Sequence, residues 1–134
     1  SDMGQNLRAN PITGAIAAID ADLNPGTPAV SAAAYASNFA GTMTTTLYDI
    51  DLSTDKLYKQ APPNDGKLEE VGALNIDIAA NNGFDIGGQS NMAYGLFTVG
   101  STTKLYLINL ANGTATPVAD GPAGINGLAV GLGF

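Results

Sequence analysis

The sequence predicts an all-β protein of about three antiparallel, four-stranded, propeller-like blades, a half-propeller that self-association would complete. Two observations carry this prediction. A strand–turn–strand pattern occurs three times along the chain, and no segment shows the 3.6-residue apolar spacing of an amphipathic helix. The 134 residues include 17 glycines and 7 prolines, which supply many tight turns. We expect residues 4–134 to form one domain with a real core, and residues 1–3 to be a cloning remnant.

The clearest copy of the pattern is TTTLYDIDLSTDKLYKQ, residues 44–60. Within it Tyr48, Ile50 and Leu52 alternate with Leu47, Asp49 and Asp51, which predicts a strand with one mainly apolar face. Two further copies are NLRANPITGAIAAI at residues 6–19 and TTKLYLINLANGTATPV at residues 102–118. The three turns align at residues 10–14, 51–55 and 109–113.

Taken in order, the N-terminal half begins with a hairpin of strands 6–10 and 15–19, whose turn needs Gly14 in the left-handed region. Residues 20–28 are rich in Pro and Gly and form a loop. Strand 30–39 aligns with residues 92–98, so both are expected at the same position in their blades. The Pro-rich stretch 61–66 is a loop inserted after the hairpin, and residues 69–78 hold either one strand or two.

The C-terminal half gives the fullest repeat. Residues 82–86 are expected to form an inner strand, residues 92–99 the second strand, and residues 104–110 with 114–118 the outer pair. Residues 126–130 open the next blade. Four-stranded units that recur every ~40–50 residues are typical of β-propellers, which have ~4–8 blades. Three blades leave apolar side faces uncovered, which favours self-association or a missing N-terminal half as partner.

The composition excludes several function classes. The net charge of −7, from 12 acids and 5 bases, argues against nucleic-acid partners, which need clustered basic residues. The absence of Cys and His removes thiolate catalysis, Cys-based zinc sites and the commonest general base. No apolar run reaches the ~18 residues of a membrane span. Charged residues are only 13% of the chain, which is associated with secreted or cell-surface bacterial proteins.

Two acidic loops resemble the beginnings of calcium-binding loops, because oxygen ligands alternate along them. The first candidate ligand set is Asp20, Asp22 and Asn24, and the second lies at residues 49–55. Both lack the glutamate that an EF-hand carries at its twelfth position, where Ser31 and Gln60 stand. In the second loop, residues 51 and 55 are equally explained as turn residues. No other cofactor is expected.

The acids Glu69, Glu70, Asp77 and Asp85 raise the alternative of a carboxylate-dependent polysaccharide hydrolase or lyase, which requires two acids at a fixed separation. Convergence of two such acids on one pocket, each with a perturbed pKa, would favour that alternative. The five tyrosines suggest a sugar or peptide groove as one use, but four of them occupy repeat-equivalent positions, which favours core packing.

Four stretches carry a resemblance to a known family: GQNLRANPITGAIAAID, DLNPGTPAVSAAAY, TTTLYDIDLSTDKLYKQAPPNDGKLEEVGAL and TKLYLINLANGTATPV. From Gly4 to about Val130 the chain resembles the bacterial domain of unknown function 4394. The resemblance implies a propeller-like fold, an exported or surface protein, and no assigned activity or catalytic motif. The family's domain is longer, so this chain resembles its C-terminal half.

These observations favour a non-catalytic structural or binding module of an exported bacterial protein. We expect it to present its loops to a protein or glycan partner and to associate with itself. The hydrolase or lyase is the enzymatic alternative. A purely architectural protein, whose half-propellers assemble into rings or fibres, is a third.

Overall fold

The computed structural model describes residues 3–79, 82–122, 124–125 and 127–131. These residues are all-β, with ten strands in three antiparallel sheets of two, four and four strands. Within the described ranges there is no α-helix, and the one helical turn is a 3-10 turn at Pro63–Asp65. This confirms the predicted all-β class, the antiparallel pairing of the strands and, within these ranges, the predicted absence of helices.

The N-terminal sheet is a hairpin of β1 (Leu7–Ala9) and β2 (Ile16–Ile19). Its turn forms as the sequence predicts. The Asn10 side chain accepts hydrogen bonds from the backbone N–H groups of residues 12 and 13, and Gly14 has φ +71. The hairpin is thus a two-stranded sheet and not a four-stranded unit.

The first four-stranded sheet runs in chain order through β3 (Val30–Ala36), β4 (Thr46–Asp51), β5 (Lys56–Gln60) and β6 (Leu68–Ala73). Each strand pairs antiparallel with the next. The open choice for residues 69–78 is settled in favour of one strand, because the chain leaves the sheet after residue 73.

The second four-stranded sheet has the same order, with β7 (Gly83–Ile86), β8 (Ala93–Val99), β9 (Thr102–Ile108) and β10 (Ala115–Asp120). The four predicted strands of this half are confirmed in number, order and approximate bounds. The strand expected at residues 126–130 does not form in the described part of that stretch. Asn126 lies outside the described residues, and residues 127–131 are irregular.

The predicted equivalence of residues 30–39 and 92–98 is wrong. β3 is the first strand of its sheet, whereas β8 is the second. Likewise the hairpin 46–60 supplies the second and third strands, and its counterpart β9–β10 supplies the third and fourth. The reason is that any two neighbouring antiparallel strands share the strand–turn–strand pattern, so the pattern does not fix a position within the sheet.

The core lies between the two four-stranded sheets. Ile50 and Leu57 of the first sheet belong to the same buried cluster as Phe97 and Ile108 of the second. The predicted apolar face of β4 is confirmed, since Ile50 is buried and Tyr48 and Leu52 pack against the cluster. β3 packs beside β7, and the Asn82 amide nitrogen donates to Ser31 Oγ at 2.9 Å across this junction.

A second junction joins the sheets at Gly72 and the β9–β10 turn. A side chain on Gly72 would collide with the backbone carbonyl of Asn112, and one on Gly113 would collide with the carbonyl of Gly72. Beside them the Ala115 backbone N–H donates to the Leu74 carbonyl at 3.1 Å. The two backbones therefore touch at a place that only glycine permits.

We expect Gly72→Ala to lower the free energy of unfolding by about 2 kcal/mol, because the added methyl group must push two backbones apart. Gly127→Ala is the matched control, since a methyl group there has no described atom within 4 Å. Urea titration of both variants checks the prediction. Equal midpoints for the two variants would contradict the close approach.

Candidate binding cleft

A cleft of about 510 Å³ lies on the face of the first sheet that is turned away from the core. One wall is the loop of residues 20–28 that precedes β3, called the Pro-rich loop below, through Pro25, Thr27 and Pro28. The β4–β5 turn and strands β5 and β6 form the other wall, through Asp51, Ser53, Thr54, Tyr58, Leu68 and Glu70. The cleft therefore combines an aromatic ring, two carboxylates and several hydroxyl groups.

The loop is held over the sheet by backbone pairing. Asn24 donates its backbone N–H to the Gly66 carbonyl at 2.9 Å, and its own carbonyl accepts from the N–H of Leu68 at 2.7 Å. The Asn24 side-chain amide nitrogen adds a hydrogen bond to the Asp65 carbonyl at 2.9 Å. These contacts join segments about 40 residues apart, and they place the loop opposite β5 and β6.

Strand register brings the polar residues to one face. Tyr58 lies directly opposite Asp49 on one side and opposite Glu70 on the other. Cross-strand partners share a face, so these three side chains form a row across β4, β5 and β6. Asp51 follows two residues after Asp49 and points to the same face.

Both acids that line the cleft are bound by neighbouring residues of the protein. Asp51 Oδ1 accepts hydrogen bonds of 2.7 Å from both the backbone N–H and the hydroxyl of Ser53. Glu70 forms an ion pair of 2.8 Å with Lys56, and this hydrogen bond raises the pKa of the lysine. The Tyr58 hydroxyl lies 3.3 Å from the Thr54 hydroxyl, so the ring is tethered to the turn.

Asp49 lies beside this cleft as a buried acid. Its side chain is 2% exposed, and its Oδ2 has no hydrogen-bond partner. Burial raises the pKa of Asp49 to about 7, since desolvation disfavours the charged form. The sequence places Asp49 on the polar face of β4 but gives no sign that this face is covered.

Two of the predicted calcium ligands, Asp20 and Asn24, hydrogen-bond to other groups of the protein. Asp20 forms a two-point ion pair with Arg8, at 2.8 and 2.9 Å. The Asn24 amide nitrogen donates to the carbonyls of Asp22 and Asp65. No group of three or more acids suited to a metal ion occurs in the described part of the chain. The geometry does not favour this site, and calcium binding here stays a prediction.

In the second acidic loop, Asp51 and Asp55 are turn residues, as the alternative interpretation predicts. Asp51 closes the turn through Ser53, and Asp55 has φ +52, in the left-handed region that turn residues adopt. The Asp55 carboxylate accepts the backbone N–H of Ile78 at 3.0 Å. Both acids therefore have structural roles in shaping the hairpin and its neighbour.

The acids suggested for a hydrolase are dispersed. Glu69 and Glu70 are consecutive on β6, so they point to opposite faces, and Glu69 pairs with Lys67 at 2.8 Å. That pairing lowers the pKa of Glu69. Asp85 lies on β7 of the other sheet, where its Oδ2 accepts the backbone N–H of Val130 at 2.6 Å. Of the suggested acids, Glu70 alone lines the cleft.

The tyrosines divide between core and surface. Tyr106 is buried and packs against Phe97 with ring centroids 5.8 Å apart, as the repeat alignment predicts. Tyr48 packs against the same core cluster. Tyr58 instead lines the cleft, and Tyr35 is exposed on β3. Among the four repeat-equivalent tyrosines, the expected core packing is correct for Tyr48 and Tyr106 and wrong for Tyr35. Tyr58, which has no repeat equivalent, is the one that lines the cleft.

Comparisons with known proteins give one match. The model of the family described as Domain of unknown function (DUF4394) matches residues 1–129. Neither the curated proteins nor the solved structures give a significant match. In the part of the chain that the structure describes, no helix is long and apolar enough to cross a membrane.

Proposed function

Because the chain belongs to the family of domain of unknown function 4394, whose description names no activity, we propose its function from its own geometry. The protein is a non-catalytic binding module that holds a glycan in the cleft between the Pro-rich loop and strands β5 and β6. The observation that carries this proposal is the meeting of Tyr58 with Asp51 and Glu70 in one open cleft.

The chemistry of these residues suits sugars. A half-exposed tyrosine ring offers an apolar surface to the C–H face of a pyranose, while its tethered hydroxyl keeps the ring in place. Carboxylates accept hydrogen bonds from sugar hydroxyls, and bonds to charged groups are the stronger ones. Thr27, Ser53 and Thr54 add hydroxyls that both donate and accept.

The charge of the cleft supports a choice among glycans. Two acids line it, only one of them is neutralised by a lysine, and the whole chain carries a charge of −7. Acidic polysaccharides would meet like charge at close range. Neutral sugars or amino sugars therefore fit the cleft better than uronic acids do. If the ligand is a protein instead, a lysine-rich peptide suits the same charge.

The engagement of both cleft acids supports binding over catalysis. Glycoside hydrolysis needs one carboxyl group as a proton donor and a second as a nucleophile or base. Asp51 is held by Ser53, and Glu70 is held by Lys56. Asp49, whose pKa is raised, is the buried end of the row that it forms with Tyr58 and Glu70, and it does not line the cleft. The polysaccharide hydrolase or lyase therefore remains the less supported alternative.

We expect Tyr58→Ala to weaken binding of cellohexaose or chitohexaose about tenfold, because the stacking surface is lost. Tyr58→Phe keeps the ring and should retain most of the affinity. Tyr35→Ala removes an exposed tyrosine outside the cleft and is the matched control. Isothermal titration calorimetry measures all three against a hexagalacturonate, which should bind poorly.

Three results would overturn the glycan assignment. Unchanged affinity of Tyr58→Ala would move the site elsewhere. Tighter binding of the hexagalacturonate would contradict the charge argument. Binding of a lysine-rich peptide with none of the sugars would assign the cleft to a protein partner.

We further propose that the two four-stranded sheets are successive propeller blades with β3 and β7 as their inner strands. Their shared strand order and the Ser31–Asn82 hydrogen bond beside the β3–β7 junction support this. Residues 127–128 also approach Gly83 of β7 closely. A crystal structure of a longer family member should show these strands around a common axis, and a flat two-sheet sandwich would contradict the proposal.

An exported or cell-surface location in a bacterium completes the proposal. The low charged fraction of 13% and the family resemblance support it. Fractionation of the native bacterium should recover the protein from the envelope or the medium. A purely cytoplasmic pool would contradict it.

A further inference from the structure

The N-terminal hairpin exposes an apolar, uncharged strand. In β2 the side chains of Ile16 and Ile19 are 60% and 79% exposed, and the two residues between them are alanines. Among the described residues, no strand pairs with the outer side of β2. An exposed edge of this kind is a template for pairing with another strand.

The outer edges of the other two sheets are protected in ways that β2 is not. Strand β10 carries Pro117, which cannot donate a ladder hydrogen bond, and ends on Asp120. Strand β6 carries Glu69 and Glu70, and like charges discourage the approach of a second acidic strand. β2 contains no proline, no charge and no bulky polar group.

The charges around β2 also permit a second copy to approach. The chain as a whole is strongly acidic, which normally keeps copies apart. The charged groups of the hairpin are Arg8 on β1 and Asp20 just after β2, and they neutralise each other in a two-point ion pair. A second hairpin therefore meets a locally neutral strand.

We propose that β2 pairs antiparallel with β2 of a second copy about a twofold axis. The result is a four-stranded sheet in the order β1-β2-β2-β1, the same strand number as the other two sheets. A two-stranded hairpin is marginal by itself, whereas four strands with a shared apolar face are stable. A twofold interface needs the same patch on both copies, which an uncharged strand of isoleucine and alanine provides.

The interface is small. Strand β2 has four residues, so the buried area falls below the roughly 1,200 Å² of a stable interface. The dimer should therefore be weak and concentration-dependent. Because the paired strands are uncharged while each whole copy carries a net charge of −7, added salt should strengthen the dimer by screening the repulsion between the copies. This association surface lies outside the cleft and does not depend on glycan binding.

Sedimentation equilibrium from about 10 µM to about 1 mM tests the proposal. The parent should shift from monomer to dimer over this range. Ile19→Lys places two lysines in the paired edge and should weaken association at least tenfold. Ile12→Lys is the matched control, since Ile12 lies in the turn of the same hairpin and is 92% exposed but is not part of β2.

The variants change exposed side chains, so each should keep the parent's circular dichroism and unfolding midpoint. A parent that stays monomeric throughout the range would overturn the proposal. Equal weakening by Ile12→Lys and Ile19→Lys would also overturn it, because it would point to unspecific apolar contact. Larger oligomers would exclude a closed twofold pairing.

Discussion

Ile108→Asp is expected to unfold the protein under conditions in which the parent is folded. Ile108 is 3% exposed in the cluster between the two four-stranded sheets. The substitution removes apolar contacts and places an unpaired carboxylate among apolar side chains, which costs at least about 4 kcal/mol. A domain of this size has a net stability of only about 5–15 kcal/mol. Urea titration followed by circular dichroism measures the loss.

Two further variants show how the loss of stability should depend on burial. Lys67→Ala removes an exposed ion-pair partner of Glu69 and should leave the midpoint almost unchanged. The sequence also predicts that Leu47→Lys unfolds the chain, but Leu47 is only half-buried and lies on the cleft side of β4. Leu47→Lys should therefore lower the unfolding midpoint by more than Lys67→Ala does and by less than Ile108→Asp does. An Ile108→Asp midpoint equal to that of the parent would contradict the assignment of β9 to the core.

Asp49→Asn is expected to stabilise the protein above neutral pH by an amount on the order of 4 kcal/mol. The pKa of Asp49 rises from 3.8 to about 7 on folding, and each unit is worth about 1.4 kcal/mol. The unfolded chain loses this proton first, so the parent loses stability as pH rises from about 4 to about 7. Asparagine stays neutral throughout, as protonated Asp49 does below its pKa.

The measurement is the free energy of unfolding of both proteins at several pH values. Parent and variant should have similar stability near pH 4, diverge through the acidic range, and differ by a constant amount above about pH 8. Glu69→Gln is a suitable control, because Glu69 is exposed and its pKa is lowered by Lys67, so its small effect has the opposite sign. Parallel curves for the parent and Asp49→Asn would contradict the burial of a carboxylate whose Oδ2 has no hydrogen-bond partner.

Local chemistry made most strands predictable. Alternation in residues 46–51 and the turn residues at Asn10, Asp51 and Asn109 mark the hairpins, and each of these hairpins forms. The place of each hairpin in its sheet was not predictable, because it depends on which strands lie next to it. The β4–β5 hairpin lies in the middle of its sheet because β6, which follows residues 61–66, pairs with the free side of β5.

The candidate site depended still more on long-range contacts. The cleft exists because Asn24 pairs with Gly66 and Leu68, which brings a Pro-rich loop over Tyr58. No spacing rule connects these segments, so the sequence could not identify the cleft. Repeat alignment gave no guide to Tyr58 either, because Tyr58 is not among the four repeat-equivalent tyrosines.

We propose that the cleft binds a neutral glycan without cleaving it. The most direct test is a titration of isotopically labelled protein with chitohexaose and cellohexaose, followed by nuclear magnetic resonance and by chromatography of the recovered sugar. We predict saturable shifts confined to the amides around Thr54, Tyr58 and Glu70, with the oligosaccharide recovered intact. Shortened sugars would indicate a hydrolase or lyase, and shifts that are absent or lie elsewhere would contradict the assigned site.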